Sequence, residues 1–211
     1  MERPNLIMVF CMFLGCFLGS AKNLYANDPC ASASSAPVIG QTCSGGAIYA
    51  GTGYSSDRRN PALRYMVTPG GCTNSSCAGA GGTDSVTKSW ANDSGKTAYT
   101  VNTRARYLNN GKRNTAILVT RHPNYTDTDA AHWCTNMNYG GHTDWYLPAK
   151  NELDYVLHAN KAALAGFVPS MYWSSTEESS NYAWFQYFFN GNQSITIKTV
   201  KFGYVRCVRS Y

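Results

Sequence analysis

The stretch Gly140-Gly141-His142-Thr143-Asp144-Trp145-Tyr146-Leu147-Pro148-Ala149-Lys150-Asn151-Glu152-Leu153 decides the fold of this chain. Just upstream, Ala130, Trp133, Cys134 and Met137 recur at i, i+3, i+4 and i+7, the spacing that lines one face of a helix. Gly140 and Gly141 supply the stop, because glycine takes positive φ with no Cβ to clash. Downstream, Leu153, Val156 and Leu157 share one helical face, with Pro148 marking the approach. The stretch is a fixed corner between two short helices, and Trp145 and Leu147 are placed to anchor it in the core.

The corner sits in a chain of 211 residues, enough for one domain with a tail and a sizeable core. The hydrophobic fraction, 44%, is ordinary, but charged residues make up only 14%, against about 25% in typical soluble domains. Scarce charge with 15 tyrosines and much Asn, Ser, Thr and Gly suits an extracellular β-rich domain with long loops. The net charge of +6 is too small to indicate a nucleic-acid partner, and none is expected.

Residues 1–26 read as an export signal. Arg3 gives a short basic start beside Glu2, and Leu6 to Leu18 is an apolar run broken only by glycine and cysteine. That run is too short for a membrane span and suits a signal core. Gly19-Ser20-Ala21 and Leu24-Tyr25-Ala26 allow cleavage after Ala21 or Ala26. The rival is lipidation at Cys16, after Phe13-Leu14-Gly15, which would tether the protein to a membrane. No other segment is apolar enough to span one. The expected location is outside the cytoplasm: periplasm, outer surface or medium.

Residues 27–45 read as a small, polar N-terminal arm, and 46–211 as the folded domain. Strands are expected over Ala47–Ala50 and Leu63–Thr68, joined by a turn-rich loop, Thr52–Pro61. Residues 69–87 should be irregular. Residues 88–125 offer Trp90 and Tyr99 as anchors and Ile117-Leu118-Val119 as a short buried contact. They also hold Arg104, Arg106, Lys112 and Arg113, with Asn109-Asn110-Gly111 read as a turn that brings the two basic pairs side by side. Further on, Asn160 is placed to cap a helical turn Lys161–Leu164 ended by Gly166. Met171–Ser175, Tyr182–Phe189, Gln193–Thr199 and Tyr204–Arg209 read as strands. Asn190-Gly191 is a hairpin signal, and Ile195 and Ile197 alternate with polar residues as in a half-buried strand.

Three pieces carry a resemblance: Trp145-Tyr146-Leu147-Pro148-Ala149-Lys150-Asn151-Glu152-Leu153, Tyr172-Trp173-Ser174-Ser175-Thr176-Glu177 and Tyr204-Val205-Arg206-Cys207-Val208-Arg209. In order and spacing they resemble the bacterial DUF1566 domains, which are similar to the C-terminal domain of a collagen-like bacterial adhesin. The likeness covers 130–209 well and 45–125 loosely, through Gly46-Ala47-Ile48-Tyr49-Ala50-Gly51. It implies an α+β, C-type-lectin-like fold: two short helices on a twisted, mostly antiparallel sheet, with long irregular loops stapled by disulfides. Six cysteines lie beyond residue 26, and an even count in an exported chain implies disulfides, though sequence alone selects none of the 15 pairings. The resemblance implies Cys134 with Cys207, tying the first helix to the last strand. That leaves Cys72 with Cys77 and Cys30 with Cys43.

Chemistry is sparse. His122, His132, His142 and His158 are scattered, with no HExxH pair and no GxSxG elbow. Asp127 and Asp129 begin a calcium-like pattern, but Ala131 stands at the third ligand position. No metal, cofactor or catalytic residue is expected. Formylglycine-generating enzymes resemble this fold but depend on reactive cysteines, and here Cys207 already has a structural role. Glu177-Glu178 reads as a solvated pair. The aromatic set Tyr172, Trp173, Tyr182, Trp184, Tyr187 and Phe188 raises the question of sugar stacking, with Trp173 and Trp184 read as core. Polar contact candidates near loop ends are Glu177, Asn181, Gln186, Asn192, Lys198 and Lys201; the basic set Arg104, Arg106, Lys112 and Arg113 suits a polyanion. The leading expectation is an exported binding module for adhesion to, or recognition of, a glycan or polyanionic polysaccharide, with a protein receptor as a further partner. The alternatives are a display subunit of a surface assembly and, third, an enzyme of the formylglycine type.

Overall fold

A computed structural model describes residue 30 and residues 37–53, 63–91, 102–121 and 129–211. The export signal with Cys16, most of the Thr52–Pro61 loop, Tyr99, His122 and Asp127 lie outside the described residues. The elements run β1 (Ile48–Gly53), β2 (Leu63–Val67), β3 (Thr87–Lys88), α1 (Gly111–Arg121), α2 (Ala130–Thr135) and α3 (Lys150–Glu152), which continues as a π turn, Leu153–His158. Then come α4 (Lys161–Leu164), β4 (Met171–Glu177), β5 (Tyr182–Tyr187), β6 (Gln193–Ile197), β7 (Gly203–Tyr204) and β8 (Val208–Ser210). Strands β1-β2-β8 form one antiparallel sheet; β3-β7-β4-β5-β6 form a second, antiparallel except between β4 and β7. The fold is α+β.

The corner works by alternation. In extended backbone successive side chains point to opposite sides. Trp145 and Leu147 enter one apolar cluster, with Trp90, Trp133 and Trp173, while Tyr146 enters the other, with Tyr65, Leu153 and Phe188. Tyr146 also exchanges backbone hydrogen bonds with Val208, at 2.8 and 3.0 Å, so the corner extends the first sheet beyond β8. Gly140 and Gly141, at φ +64° and +76°, turn the chain into it.

Helix α1 is the element that the sequence reading missed, where it saw a turn and a short apolar run. Asn110 is its cap, accepting the Arg113 N–H at 2.9 Å. Gly111 opens it because a Cβ there would lie 2.6 Å from the Leu147 carbonyl oxygen and 2.6 Å from the Ala149 nitrogen. Its inner face is partly polar, which hides it from a hydrophobicity pattern. The Thr115 hydroxyl accepts the Leu147 N–H at 3.1 Å and donates to the Leu147 carbonyl at 3.2 Å. Asn114 and Tyr107 exchange hydrogen bonds at 2.6 and 3.0 Å.

Three further expectations are corrected. The arm is not loose over 40–43: Gly40 donates to Tyr49, Tyr49 to Gln41 and Cys43 to Ala47, so the segment runs along β1. Strand β6 is not half-buried through its isoleucines, since Ile195 is 39% exposed and Ile197 50%. Asn160 makes no side-chain cap for α4; its amide donates instead to the Val156 and Ala50 carbonyls.

Three disulfides close the fold: Cys134–Cys207, the pairing that the resemblance implied, and Cys30–Cys43 and Cys72–Cys77, the two expected from the cysteines left over. Hairpin β5–β6 pairs in unbroken antiparallel register from Tyr182↔Ile197 to Gln186↔Gln193. Its loop spans 188–191, wider than a two-residue turn, with Gly191 at φ +82° and its N–H on the Tyr187 carbonyl at 2.7 Å.

Removing the Cys134–Cys207 bridge by paired alanine substitution should cost about 4 kcal/mol, because it closes a long loop; urea unfolding of oxidised protein measures it, and an unchanged midpoint would show the bridge dispensable. Gly191→Val imposes a β-branched residue at positive φ and brings its Cβ within 2.6 Å of the His158 ring. Its expected cost is about 1–3 kcal/mol by calorimetry.

Candidate functional site

Three of the polar residues expected at a binding surface are instead internal. Glu177 has a fully buried side chain that accepts the Thr103 and Arg104 N–H groups, both at 2.8 Å, and the Lys198 ammonium at 2.6 Å. Lys198 also donates to the Ser180 carbonyl at 2.8 Å and lies 4.8 Å from the Trp90 ring. Burial pulls its pKa below the ordinary lysine value, against the pull of Glu177. A pair this enclosed is a brace, pinning residues 103–106 to the β5–β6 hairpin, and Glu177 is no solvated loop residue. Gln186 is buried too, donating to Asp154 at 2.6 Å and to the Gly191 carbonyl at 3.0 Å. Asn181, Asn192 and Lys201 are exposed.

Two more buried carboxylates escaped the sequence reading. Asp84 accepts Nε and a terminal nitrogen of Arg206, at 3.0 and 2.8 Å, and the Tyr172 hydroxyl at 2.7 Å. Glu152 accepts the Tyr65 hydroxyl at 3.0 Å, the Gly111 N–H at 3.1 Å and the Ala149 N–H at 2.8 Å. Burial raises the Glu152 carboxyl above its ordinary 4.5, more than the three donors lower it. Both lie inside or against the family-like pieces: Glu152 belongs to the corner, and Arg206 to the last strand region. Their spacing in the chain held no signal of the pairing.

The basic set is divided. Because Asn110 caps α1, Lys112 and Arg113 occupy consecutive helix positions and diverge around its axis. Lys112 acts on Asp144, whose carboxyl is raised by burial but pulled below its ordinary value overall by the Arg209 hydrogen bonds and by both cations. Arg113 instead covers the Tyr107 ring at 4.3 Å. Arg104 is exposed, at φ +64°, and Arg106 stands 3.9 Å from Glu177 with its side chain half exposed.

A second cation–aromatic pair lies alongside. The Lys150 ammonium sits 4.0 Å above the Trp184 ring. The Thr176 hydroxyl joins the two pairs, accepting the Lys150 N–H at 2.9 Å and donating to the Tyr107 carbonyl at 3.1 Å. Beyond Trp184 the same sheet face continues through its partner Ile195 and through Tyr182 opposite Ile197. Of the aromatic set, Tyr172, Trp173 and Phe188 are core, Trp184 is half-buried, and Tyr182 and Tyr187 are exposed. The result is a strip from Arg113 and Tyr107 to Lys150, Trp184 and Tyr182. A shallow apolar groove of about 380 Å³ lies elsewhere, between Phe167–Pro169 and the hairpin tip at Phe188 and Phe189. Among the described residues no cluster of three His, Cys, Asp or Glu is arranged to hold a metal ion.

Residues 83–209, more than half of the chain, match the model of the Lcl C-terminal domain. The chain belongs to the Lcl C-terminal domain family. No curated protein matches it. The matched span holds β3 to β7, most of β8, α1 to α4, and Glu152, Glu177 and Arg206; β1 and β2 precede it yet complete the second apolar cluster.

The buried Glu152 gives a pH test. Its folded pKa is raised, so the pH-dependent part of its contribution is complete below the ordinary carboxylate value and is lost as pH rises through the raised one. The stability difference between wild type and Glu152→Gln should therefore shrink as pH rises from below the ordinary value of 4.5 to well above it. Urea midpoints at several pH values measure it; a difference that widens would mean the folded carboxyl is lowered instead.

Proposed function

We propose that this domain is an exported adhesion or recognition module that binds an anionic polysaccharide along the strip from Arg113 to Tyr182. One observation carries the reading: two cation–aromatic pairs, Arg113 on Tyr107 and Lys150 on Trp184, meet at Thr176. The rings hold the cations in place from below, and the apolar surface that the rings and the cation stems leave exposed suits the C–H groups of a sugar. Arginine offers forked donors to sulfate, phosphate or carboxylate, and lysine a compact charge. Arg106, next to Tyr107 in the chain and half exposed beside Glu177, adds a third cation. Three disulfides agree with an oxidising compartment, which supports export. The likeness to DUF1566 domains, with their C-type-lectin-like frame and collagen-like adhesin relatives, points the same way. Every cysteine beyond residue 26 is disulfide-bonded, which leaves the formylglycine-type chemistry no thiol there.

The second reading is a display subunit of a surface assembly. It is favoured by strand β6, an edge of the five-stranded sheet with a neutral, partly β-branched sequence.

Heparin chromatography tests the leading reading. Wild type should be retained and released by salt, since exposed charges are screened over about 8 Å at physiological ionic strength. Arg106→Ala with Arg113→Glu should abolish retention, and Lys150→Ala should weaken it, with melting temperatures preserved. Lys112→Glu, off the strip, should change little. Unretained wild type, or variants eluting with wild type, would overturn the proposal.

A further inference from the structure

Strand β6 is the outer edge of the five-stranded sheet, and among the described residues no other strand pairs with its far side. Edge strands carry a row of backbone donors and acceptors that accept another strand, and proteins usually guard them with lysine, proline, a bulge or a covering loop. Here the edge is Gln193-Ser194-Ile195-Thr196-Ile197, with no charge, no proline and no glycine. Five consecutive pairs to β5 show no bulge. Three of its five residues are β-branched, the type best suited to strands. Ser194, Ile195 and Ile197 are exposed.

We propose that two copies of this chain associate through β6, antiparallel edge to edge, about a two-fold axis at Ile195. An antiparallel edge pair is isologous, so the same strand on both copies satisfies itself. Centred on Ile195, the pairing sets Ile195 against its counterpart, Ser194 against Thr196, and Gln193 against Ile197. The isoleucines of both copies then share one face with Tyr182 and Trp184, while the hydroxyls share the other. The partner is a second copy rather than a charged peptide because the edge itself is neutral and amphipathic in the same alternation. The nearest cation in sequence, Lys198, is turned inward and held by Glu177 at 2.6 Å, so it places no charge across the axis.

The association stands independently of the ligand reading. If both hold, the joined sheet carries two strips on one face, and a polymeric ligand spanning them gains from effective concentration without any new contact.

Sedimentation equilibrium of oxidised, full-length protein over micromolar to submillimolar concentrations tests the proposal. Wild type should show a reversible dimer. Ile195→Lys, which puts two ammonium groups across the axis, should weaken it by about tenfold or more while leaving the melting temperature of the monomer unchanged. Amide hydrogen exchange in 193–197 should slow as concentration rises. A wild type that stays monomeric, a dimer undisturbed by Ile195→Lys, or exchange in 193–197 independent of concentration would each overturn it.

Discussion

The Glu152 carboxylate is the contact on which the architecture converges. Its oxygens take the Gly111 N–H that opens α1, the Ala149 N–H that opens α3 and the Tyr65 hydroxyl from β2. A helix start, a corner and a sheet are thereby held to one side chain. The donors at the two helix starts are groups that helices leave unpaired, so one acceptor satisfies orphans of both. No room exists for a side chain at 111, where a Cβ would also lie 2.5 Å from a Glu152 oxygen. The carboxylate, the missing Cβ and the cap by Asn110 act as one unit. Loss of Glu152 would strand buried donors, at about 1–3 kcal/mol for each uncompensated group.

The remaining buried charges repeat this logic at other seams. Asp84 and Arg206 join the irregular 69–87 segment to the turn after α4, where the Ala165 carbonyl accepts from Arg206 and the Asp84 N–H reaches Gly166. Glu177 and Lys198 join residues 103–106 to the end of β6. Long stretches without regular structure satisfy little of their own backbone. Buried ionic groups with several acceptors or donors are well suited to hold them. Such pairs add specificity of placement more surely than net stability, because desolvation opposes the Coulomb attraction.

What the sequence disclosed follows from range. The corner, α2, the turn of α3, β4 and the β5–β6 hairpin rest on local pattern: apolar spacing, paired glycines and alternation. Their existence was legible, as was the α+β class. Helix α1 was not, because Asn114 and Thr115 on its inner face bond to Tyr107 and Leu147 instead of presenting a greasy stripe. Nor were the roles of Glu177 and Lys198, since charged residues in polar loops look solvated until a partner 21 positions away is brought to them. The strip was half legible. Arg106 and Arg113 were singled out and Trp184 was read as core, while Lys150 and Tyr107 come together only through a threonine hydroxyl shared across three segments.

The Cys30–Cys43 bridge has a mechanical meaning. Tension arriving along the chain ahead of Cys30 passes through the sulfur bridge and bypasses residues 31–42, loading the fold at Cys43 beside β1. From there it crosses the β1/β2 and β2/β8 ladders, and then meets a second covalent shunt, Cys207 to Cys134. Under pulling, the hydrogen-bonded ladders between the two bridges are the yielding element. The five-stranded sheet with Trp184 and Tyr182 lies off that route, so a domain gripping a ligand there would keep its grip while the other sheet bears the strain.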